Sequence, residues 1–148
     1  MTPVLPARRT VAMFLRMLAV QSSWNYETML GTGIGFSVEP ALRQLPGGRG
    51  GERYREALVR ETHYFNAHPY LAAVAVGSLA RVELDQTMPP AQIERFRIAL
   101  CGPLGSVGDR LVWAGWLPFT VLVALLAYGL GAGPVIVVTL FLVTYNLG

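Results

Sequence analysis

The hydrophobic pattern of the chain is strongest at its end, where residues 111–148 include no charged side chain. This stretch is 38 residues long, and a helix needs about 20 apolar residues to cross a bilayer. A first membrane span is predicted over 111–130, with Trp113 and Trp116 near its start, where an aromatic belt belongs. Pro118 lies inside this span and is expected to kink it. The chain is therefore predicted to be an integral membrane protein.

A second apolar segment follows a predicted turn at 129–134. It covers 135–148, and its 14 residues are too few to cross a bilayer fully, so either the segment is re-entrant or the chain is a fragment. Arginines precede the first span and no charge follows it, and the positive-inside rule then places the N-terminal region in the cytoplasm. The predicted organisation is a cytoplasmic or interfacial helical region, 1–110, and a membrane region, 111–148.

Upstream of the spans, the apolar positions recur at helical spacing. Residues 10–30 are predicted to form an amphipathic helix with Thr10 as its N-cap and Phe14 and Leu18 on its apolar face. This face either lies at the membrane surface, with Trp24 and Tyr26 at headgroup level, or packs against other subunits. Both possibilities remain open from the sequence.

Glycine and proline clusters divide the rest of this region. The GxGxG run at 31–35 is predicted to be a flexible turn, and a short helix is expected at 39–44. A polar helix with a solvated face is expected at 52–64 and another short helix at 91–100. The uncharged stretch 69–80 has 12 residues, which suggests a re-entrant, interfacial or buried segment. Residues 102–109 are predicted to be partly non-helical because they contain three glycines and a proline. The fold class is all-α.

Composition agrees with this architecture and excludes several functions. Hydrophobic residues make up 53% of the chain and charged residues 14%. Every basic residue is arginine, so the chain has neither a P-loop lysine nor a Schiff-base lysine. The net charge of +3 is too small to indicate nucleic-acid binding. The single cysteine, Cys101, cannot form an internal disulfide or a cysteine metal cluster.

Polar side chains that could carry chemistry cluster at 60–68. His63 and His68 are five residues apart, which does not suit a helical zinc site, and no nucleophile–base pattern is present, so neither a metal site nor a catalytic site is predicted. Asn66 and His68 either hydrogen-bond a sugar hydroxyl or cap exposed backbone. Asp109, at the mouth of the first span, is a functional candidate, an N-cap for that span, or both.

Four motifs occur in order along the chain: 21–27 (QSSWNYE), Gly35-Phe36 followed by 40–42, 64–70 (YFNAHPY), and 102–109 (GPLGSVGD) with Trp113. Together they resemble the IID membrane component of the mannose/fructose/sorbose class of the phosphoenolpyruvate-dependent sugar phosphotransferase system. The third motif is similar to the family's FFNTHPY and the fourth to its GPLAGVGD…W. The order and spacing match over nearly the whole chain.

The resemblance implies a non-catalytic transporter subunit, without a cofactor, in the cytoplasmic membrane of a bacterium. Such a subunit pairs with the IIC membrane component to move a hexose inward, and the soluble IIA and IIB proteins phosphorylate the sugar through phosphohistidines. The IID subunit is not phosphorylated, so His63 and His68 are not expected to carry phosphoryl groups. The remaining expected partners are the sugar and the lipid bilayer, with no nucleic acid.

The resemblance also suggests site residues. Those expected to line or support the sugar path are Asn66, His68, Glu83 and Asp109, and those expected to pack on IIC are Gln21, Trp24 and Asn25. The chain departs from the family at Ala80-Arg81-Val82-Glu83, where a motif with paired glutamates has one carboxylate replaced or shifted, and in the stretch 60–63. The altered stretch 60–63 and the short second span favour an alternative: a truncated, non-transporting IID relative with a regulatory or protein-interaction role.

Overall fold

The computed structural model describes residues 4–147, and within that range it is built from helices, with isolated backbone bridges and no β-strand. The all-α fold class is therefore confirmed. The α-helices are α1 (Ala7–Met17), α2 (Gly31–Leu42), α3 (Glu52–Thr62), α4 (Ala72–Asp85), α5 (Pro90–Gly108), α6 (Leu117–Gly129) and α7 (Pro134–Leu147). Short 3₁₀ turns occupy Gly48–Gly50 and Pro69–Leu71, and a π-helical segment occupies Asp109–Trp116.

The chain forms two compact units, which divide between Ser106 and Val107. In the first unit, α2 lies at the centre and packs against α1, α3 and α4. Its core is made of fully buried aliphatic and aromatic side chains, among them Ile34, Val38, Leu42, Phe65, Val76 and Leu79. Burying such side chains stabilises the unit by about 1.5–3 kcal/mol each.

The single helix predicted over 10–30 is wrong, because α1 ends at Met17. Pro6, and not Thr10, occupies the N-cap position. The residues that follow α1 fold into turns organised by Asn25, whose Oδ1 accepts hydrogen bonds from the backbone N–H groups of Glu27 and Thr28, both at 2.9 Å. An asparagine side chain that bonds the backbone in this way competes with the helix.

The turn predicted at 31–35 is also wrong, because the three glycines lie inside α2. A Cβ atom at Gly33 would lie 1.9 Å from the carbonyl oxygen of Val20, and one at Gly31 would lie 1.9 Å from that of His63. The glycines therefore let two other segments approach the helix closely, and this packing outweighs their low helix propensity. The short helix expected at 39–44 is the end of the same helix.

Two further helices agree better with the sequence. The polar helix expected at 52–64 is α3, which exposes Arg55 and Glu56 but buries Tyr54 and Ala57. For the uncharged stretch 69–80, the structure shows a short turn followed by α4, which runs on to Asp85. Several of its apolar side chains are buried in the first unit, so α4 is a short helix of the core.

The irregular backbone predicted at 102–109 is wrong as well. Helix α5 continues through Pro103 to Gly108 and passes directly into the π-helical segment, and Asp109 has helical backbone on both sides without acting as an N-cap. A Cβ atom at Gly105 would lie 3.8 Å from the carbonyl oxygen of Asn66. The helix is instead distorted in the π-helical segment just before Pro118. The backbone nitrogen of Pro118 carries no hydrogen, so it cannot donate a hydrogen bond to a carbonyl group of the preceding turn.

In the second unit, α6 and α7 form an antiparallel pair, because Trp116 near the start of one donates its indole N–H to the carbonyl oxygen of Tyr145 near the end of the other, at 3.3 Å. The predicted turn at 129–134 is confirmed and contains Gly131 at φ +93°. Leu122 and Leu126, among other apolar side chains, are exposed.

Among residues 4–147, one helix is long and apolar enough to cross a membrane. It is the continuous helical stretch Pro90–Gly129, 40 residues long, whose most apolar window has a mean hydropathy of 1.9. Only 11% of that window is buried, as expected for side chains that face lipid. Helix α7, with 14 residues, is a shorter apolar helix.

Candidate functional site

The most polar buried region of the first unit lies where α3, α4 and α5 meet, and Arg97 of α5 is at its centre. This side chain is fully buried. Its Nε donates to Glu61 Oε2 at 3.2 Å, and its Nη2 donates to the carbonyl oxygens of Glu61 and His63, the latter at 2.6 Å. Its Nη1 donates to the carbonyl oxygen of Tyr64 at 3.1 Å. Arg97 thus satisfies the carbonyl groups that the end of α3 leaves free.

A second ion pair joins α3 to α4. Arg60 Nε donates to Glu83 Oε1 and Arg60 Nη2 to Glu83 Oε2, each at 2.9 Å, which is the bidentate geometry of a strong guanidinium–carboxylate pair. The side chain of Glu83 is 4% exposed and that of Arg60 14%. The pair is therefore largely shielded from solvent screening.

The carboxyl groups of Glu61 and Glu83 contact each other. The pKa of Glu61 is raised to about 8, chiefly because burial disfavours its charged form; Arg97 opposes this shift and the neighbouring Glu83 adds to it. Oε1 of Glu61 is buried and receives no hydrogen bond from the described residues. A proton on this oxygen lets Glu61 donate to Glu83, because two ionised carboxylates cannot hydrogen-bond each other.

Beside this network lies a cleft of about 360 Å³. Glu83 and Arg60 form part of its wall, and the remaining lining residues are Leu45, Arg53, Glu56, Gln86, Thr87, Met88, Pro89, Pro90 and Ile93. Gln86 adopts a left-handed backbone conformation, φ +55°, and its side-chain oxygen accepts a hydrogen bond from Arg53. Such a conformation in a residue other than glycine is uncommon and often occurs at functional positions.

Asn66 and His68 lie together in the segment that follows α3. The backbone N–H of His68 donates to the carbonyl oxygen of Leu104 at 3.1 Å, and His68 Nδ1 accepts from the backbone N–H of Tyr70 at 3.3 Å. The capping role considered for His68 is therefore confirmed. Asn66 is exposed and packs over Gly105 of α5.

The three residues of the first unit expected along a sugar path, Asn66, His68 and Glu83, do not form one cluster. Leu104, which holds His68, lies two turns beyond Arg97 on α5, or about 10 Å along the helix. Glu83 is buried in the ion network, whereas Asp109 is exposed and belongs to the second unit. No group of three or more potential metal ligands occurs within residues 4–147.

The residues expected to contact a partner lie in the turns after α1. Asn25 uses its side chain within these turns, since its Nδ2 also donates to Thr28 Oγ1 at 2.8 Å. Trp24 is 46% exposed and packs edge-on against Tyr26 at 4.8 Å between ring centroids. Gln21 is exposed. All three residues are therefore exposed, and the Asn25 side chain also holds the turns together.

A second polar centre, around Glu39 of α2, was not predicted from the sequence. Its carboxylate accepts from Arg16 at 2.7 Å, Arg43 at 2.7 Å and Tyr54 at 2.8 Å, and it pairs with Arg49 at 3.3 Å. Burial raises the pKa of Glu39, but the hydrogen bonds from Arg43, Tyr54 and Arg16 outweigh it and lower the pKa to about 2. Only the i,i+4 spacing of Glu39 and Arg43 was visible as a signal.

These features define a helical membrane protein whose polar network joins the helices of one compact unit. The family model described as PTS system mannose/fructose/sorbose family IID component matches residues 4–148. The chain belongs to this family, and the resemblance seen in the sequence is confirmed. Components of this family are membrane transporter subunits of the bacterial phosphotransferase system and not its catalytic subunits.

Related proteins agree with the assignment. The chain is 33% identical over 140 residues to the mannose-specific EIID component of the phosphotransferase system of Escherichia coli (strain K12), covering 90% of this chain and 48% of that protein. It is 32% identical over 113 residues to the fructose permease IID component of Bacillus subtilis (strain 168), covering 74% of this chain and 40% of that protein. The chain thus spans about half the length of the curated relatives it matches.

A solved structure shares the fold. A chain in the cryoEM structure of the mannose transporter ManYZ in complex with microcin E492 (MceA) superposes with a TM-score of 0.84 and 28% sequence identity. The match covers 97% of this chain and 53% of that one. Neither this match nor the family assignment favours the non-transporting alternative.

Proposed function

We propose that this chain acts as the IID membrane subunit of a phosphoenolpyruvate-dependent sugar phosphotransferase system. With a IIC subunit it moves a hexose of the mannose, fructose, sorbose or N-acetylated sugar class inward, and IIA and IIB proteins phosphorylate the sugar. The observation that carries this proposal is the fold shared with a chain of a mannose transporter over 97% of this chain. A cytoplasmic N-terminal region, supported by the arginines before the first span, gives IIA and IIB access to it.

Within this function, the four site residues divide by exposure. Asn66 and Asp109 are exposed, so their amide and carboxylate groups are available to hydrogen-bond sugar hydroxyls. His68 and Glu83 are buried. The His68 side chain accepts a hydrogen bond from the backbone N–H of Tyr70, and the Glu83 side chain pairs with Arg60. We assign the first two to direct sugar contact and the second two to support of the sugar path.

The turns after α1 are assigned to contact with IIC. Trp24 offers a large exposed ring, and Trp is among the residues that contribute most at protein interfaces. Gln21 lies in the same exposed segment. The side chain of Asn25 makes four hydrogen bonds that fix the conformation of this segment. Ordering of this loop before binding lowers the entropic cost of association.

The test uses cells that lack their own transporter and express this chain with IIC and IIAB proteins. We expect IIC to co-purify with the chain and labelled hexose to accumulate. Asp109→Ala and Asn66→Ala should each reduce uptake by about tenfold or more, as expected when a hydrogen bond to a polar substrate group is lost. Asp85→Ala, which removes an exposed carboxylate at the end of α4, is the matched control.

Two outcomes would contradict the proposal at different levels. If Asp109→Ala and Asn66→Ala assemble with IIC and transport normally, the assignment of these residues to the sugar path is wrong. If IIC does not co-purify, and uptake is absent with the unaltered chain, the proposed function itself is wrong.

A further inference from the structure

Helix α1 turns two of its arginines toward the body of the first unit and its large apolar side chains outward. A helix on the surface of a water-soluble protein has the reverse arrangement. Arg9 and Arg16 point toward the body of the first unit, where Arg9 Nη1 donates to the carbonyl oxygen of Pro40 at 3.3 Å and Arg16 Nη1 donates to Glu39 Oε2 at 2.7 Å. The Arg16 guanidinium also lies 4.5 Å from the centre of the Phe36 ring. The charged groups therefore attach the helix to α2.

The opposite side of α1 is apolar and open. Val11, Phe14, Leu15 and Leu18 are 56%, 62%, 59% and 75% exposed. They follow the i, i+3, i+4, i+7 spacing of a single helical face. Met13, which points toward the core, is 7% exposed. A contiguous patch of four large apolar side chains is more than a soluble surface usually leaves uncovered.

We propose that this α1 face, formed by Val11, Phe14, Leu15 and Leu18, rests in the interfacial layer of the lipid bilayer. Helix α1 has 11 residues and is about 16 Å long, which is too short to cross a membrane but suits a helix that lies in its surface. The same chain contains a helix able to cross the bilayer, so a membrane is always within its reach.

The charges around α1 favour lipid over a protein partner. All three charged residues of the helix are arginines, and Arg8 lies exposed beside the apolar face. An exposed arginine next to an apolar face, on a helix without acidic residues, fits anionic phospholipid headgroups above their acyl chains. Protein interfaces, in contrast, usually surround an apolar centre with polar groups that form hydrogen bonds across the interface.

The test places an environment-sensitive fluorophore on single cysteines in a Cys101→Ala background. The full chain is co-expressed with a IIC-type subunit and purified. The chain and any protein that co-purifies with it are then reconstituted into lipid nanodiscs. Labels replace Leu15 and Leu18 on the α1 face, Met13 on the core side, and Glu52 on exposed α3. Each label is exposed to a doxyl-bearing phospholipid and, separately, to aqueous iodide.

We expect the doxyl lipid to remove most of the emission at Leu15 and Leu18, while iodide has little effect there. Glu52 should show the reverse pattern, and Met13 should be protected from both quenchers. Strong iodide quenching at Leu15 and Leu18 would overturn the proposal, as would protection of both positions from both quenchers, which would indicate a protein partner. The quenching pattern reports lipid contact and does not depend on sugar uptake or on IIC association. A failure of this proposal can therefore be distinguished from a failure of the proposed function.

Discussion

The carboxyl group of Glu61 lies close enough to that of Glu83 for each to influence the ionisation of the other, although the two residues lie on different helices, α3 and α4. Two arginines flank them, Arg97 on the side of Glu61 and Arg60 on the side of Glu83. The contact requires one proton, and burial together with Glu83 keeps that proton on Glu61 by raising its pKa to about 8. The junction of three helices is therefore linked to protonation.

Glu61→Gln should remove a pH dependence of stability. The pKa of Glu61 is about 8 in the folded chain against 4.5 as the reference, so the folded state binds a proton that the unfolded state has released. Stability should decline as pH rises from about 4.5 to about 8 and change little above that. In Glu61→Gln this decline should disappear, because the amide donates to Glu83 at every pH. Thermal unfolding in detergent at about pH 5.5 and about pH 8.5 measures the difference.

Glu56→Gln, an exposed carboxylate on the same helix, is the control and should keep the decline. Equal pH dependence in the unaltered chain and in Glu61→Gln would show that Glu61 is not the group that holds the proton.

Arg97→Lys should destabilise the first unit strongly. The guanidinium donates to a carboxylate and to three backbone carbonyl groups in different directions, and an ammonium group cannot reach all four. We expect a loss of about 1–3 kcal/mol, because buried carbonyl oxygens lose their hydrogen-bond donors. The unfolding midpoint of the purified protein measures the loss. Arg95→Lys, at an exposed position of the same helix, should have little effect, and equal behaviour of the two variants would contradict this role for Arg97.

Gly33→Ala and Gly77→Ala should change stability in opposite directions. Both residues lie inside helices, but a Cβ atom at Gly33 would lie 1.9 Å from the Val20 carbonyl oxygen, whereas nothing lies within 4 Å of one at Gly77. Gly77→Ala should stabilise the protein by about 0.5–1 kcal/mol through helix propensity. Gly33→Ala should destabilise it by about 1–3 kcal/mol, because backbone must move. Stabilisation by Gly33→Ala would mean that α2 does not pack this closely.

Glu39→Gln should lower stability throughout the neutral range. The pKa of Glu39 is lowered from 4.5 to about 2, so its contribution is fully present above about pH 4.5 and is lost as pH falls toward 2. The difference in unfolding midpoint between Glu39→Gln and the unaltered chain should therefore be constant from about pH 5 to about pH 8. Tyr54→Phe, which removes one hydrogen bond to Glu39, should cost only about 1 kcal/mol. A difference that grows with pH across the neutral range would contradict the lowered pKa.

Parts of the fold followed directly from local pattern. Helix α3 begins at the predicted Glu52 and ends within two residues of the predicted end, because the glycines at 47–51 stop any earlier start. The start of α5 beside Pro89 and the turn before α7 were predicted for similar reasons. Proline and glycine mark the ends of helices reliably where no distant segment packs against them.

The candidate site was only partly visible. Arg60, Glu61, His63, Asn66 and His68 were recognised as one polar cluster in the sequence, and Glu83 was added from the family resemblance. Arg97 was not placed in the site, since a buried arginine and a solvated one look the same in a sequence. The convergence of Arg16, Arg43 and Arg49 on Glu39 was missed, because Arg16 comes from a different helix.

The sequence by itself determined the membrane character of the protein, since a long charge-free stretch has the same hydrophobicity in any fold. It also determined the family, through motifs in order. Only the tertiary structure decided that the glycines of α2 are helical and that α1 ends at Met17. It also decided that Glu61 and Arg97 are buried together. Each of these depends on a contact between segments distant in the chain, and local propensity, which is about 1 kcal/mol per residue, is too weak to prevail over such contacts.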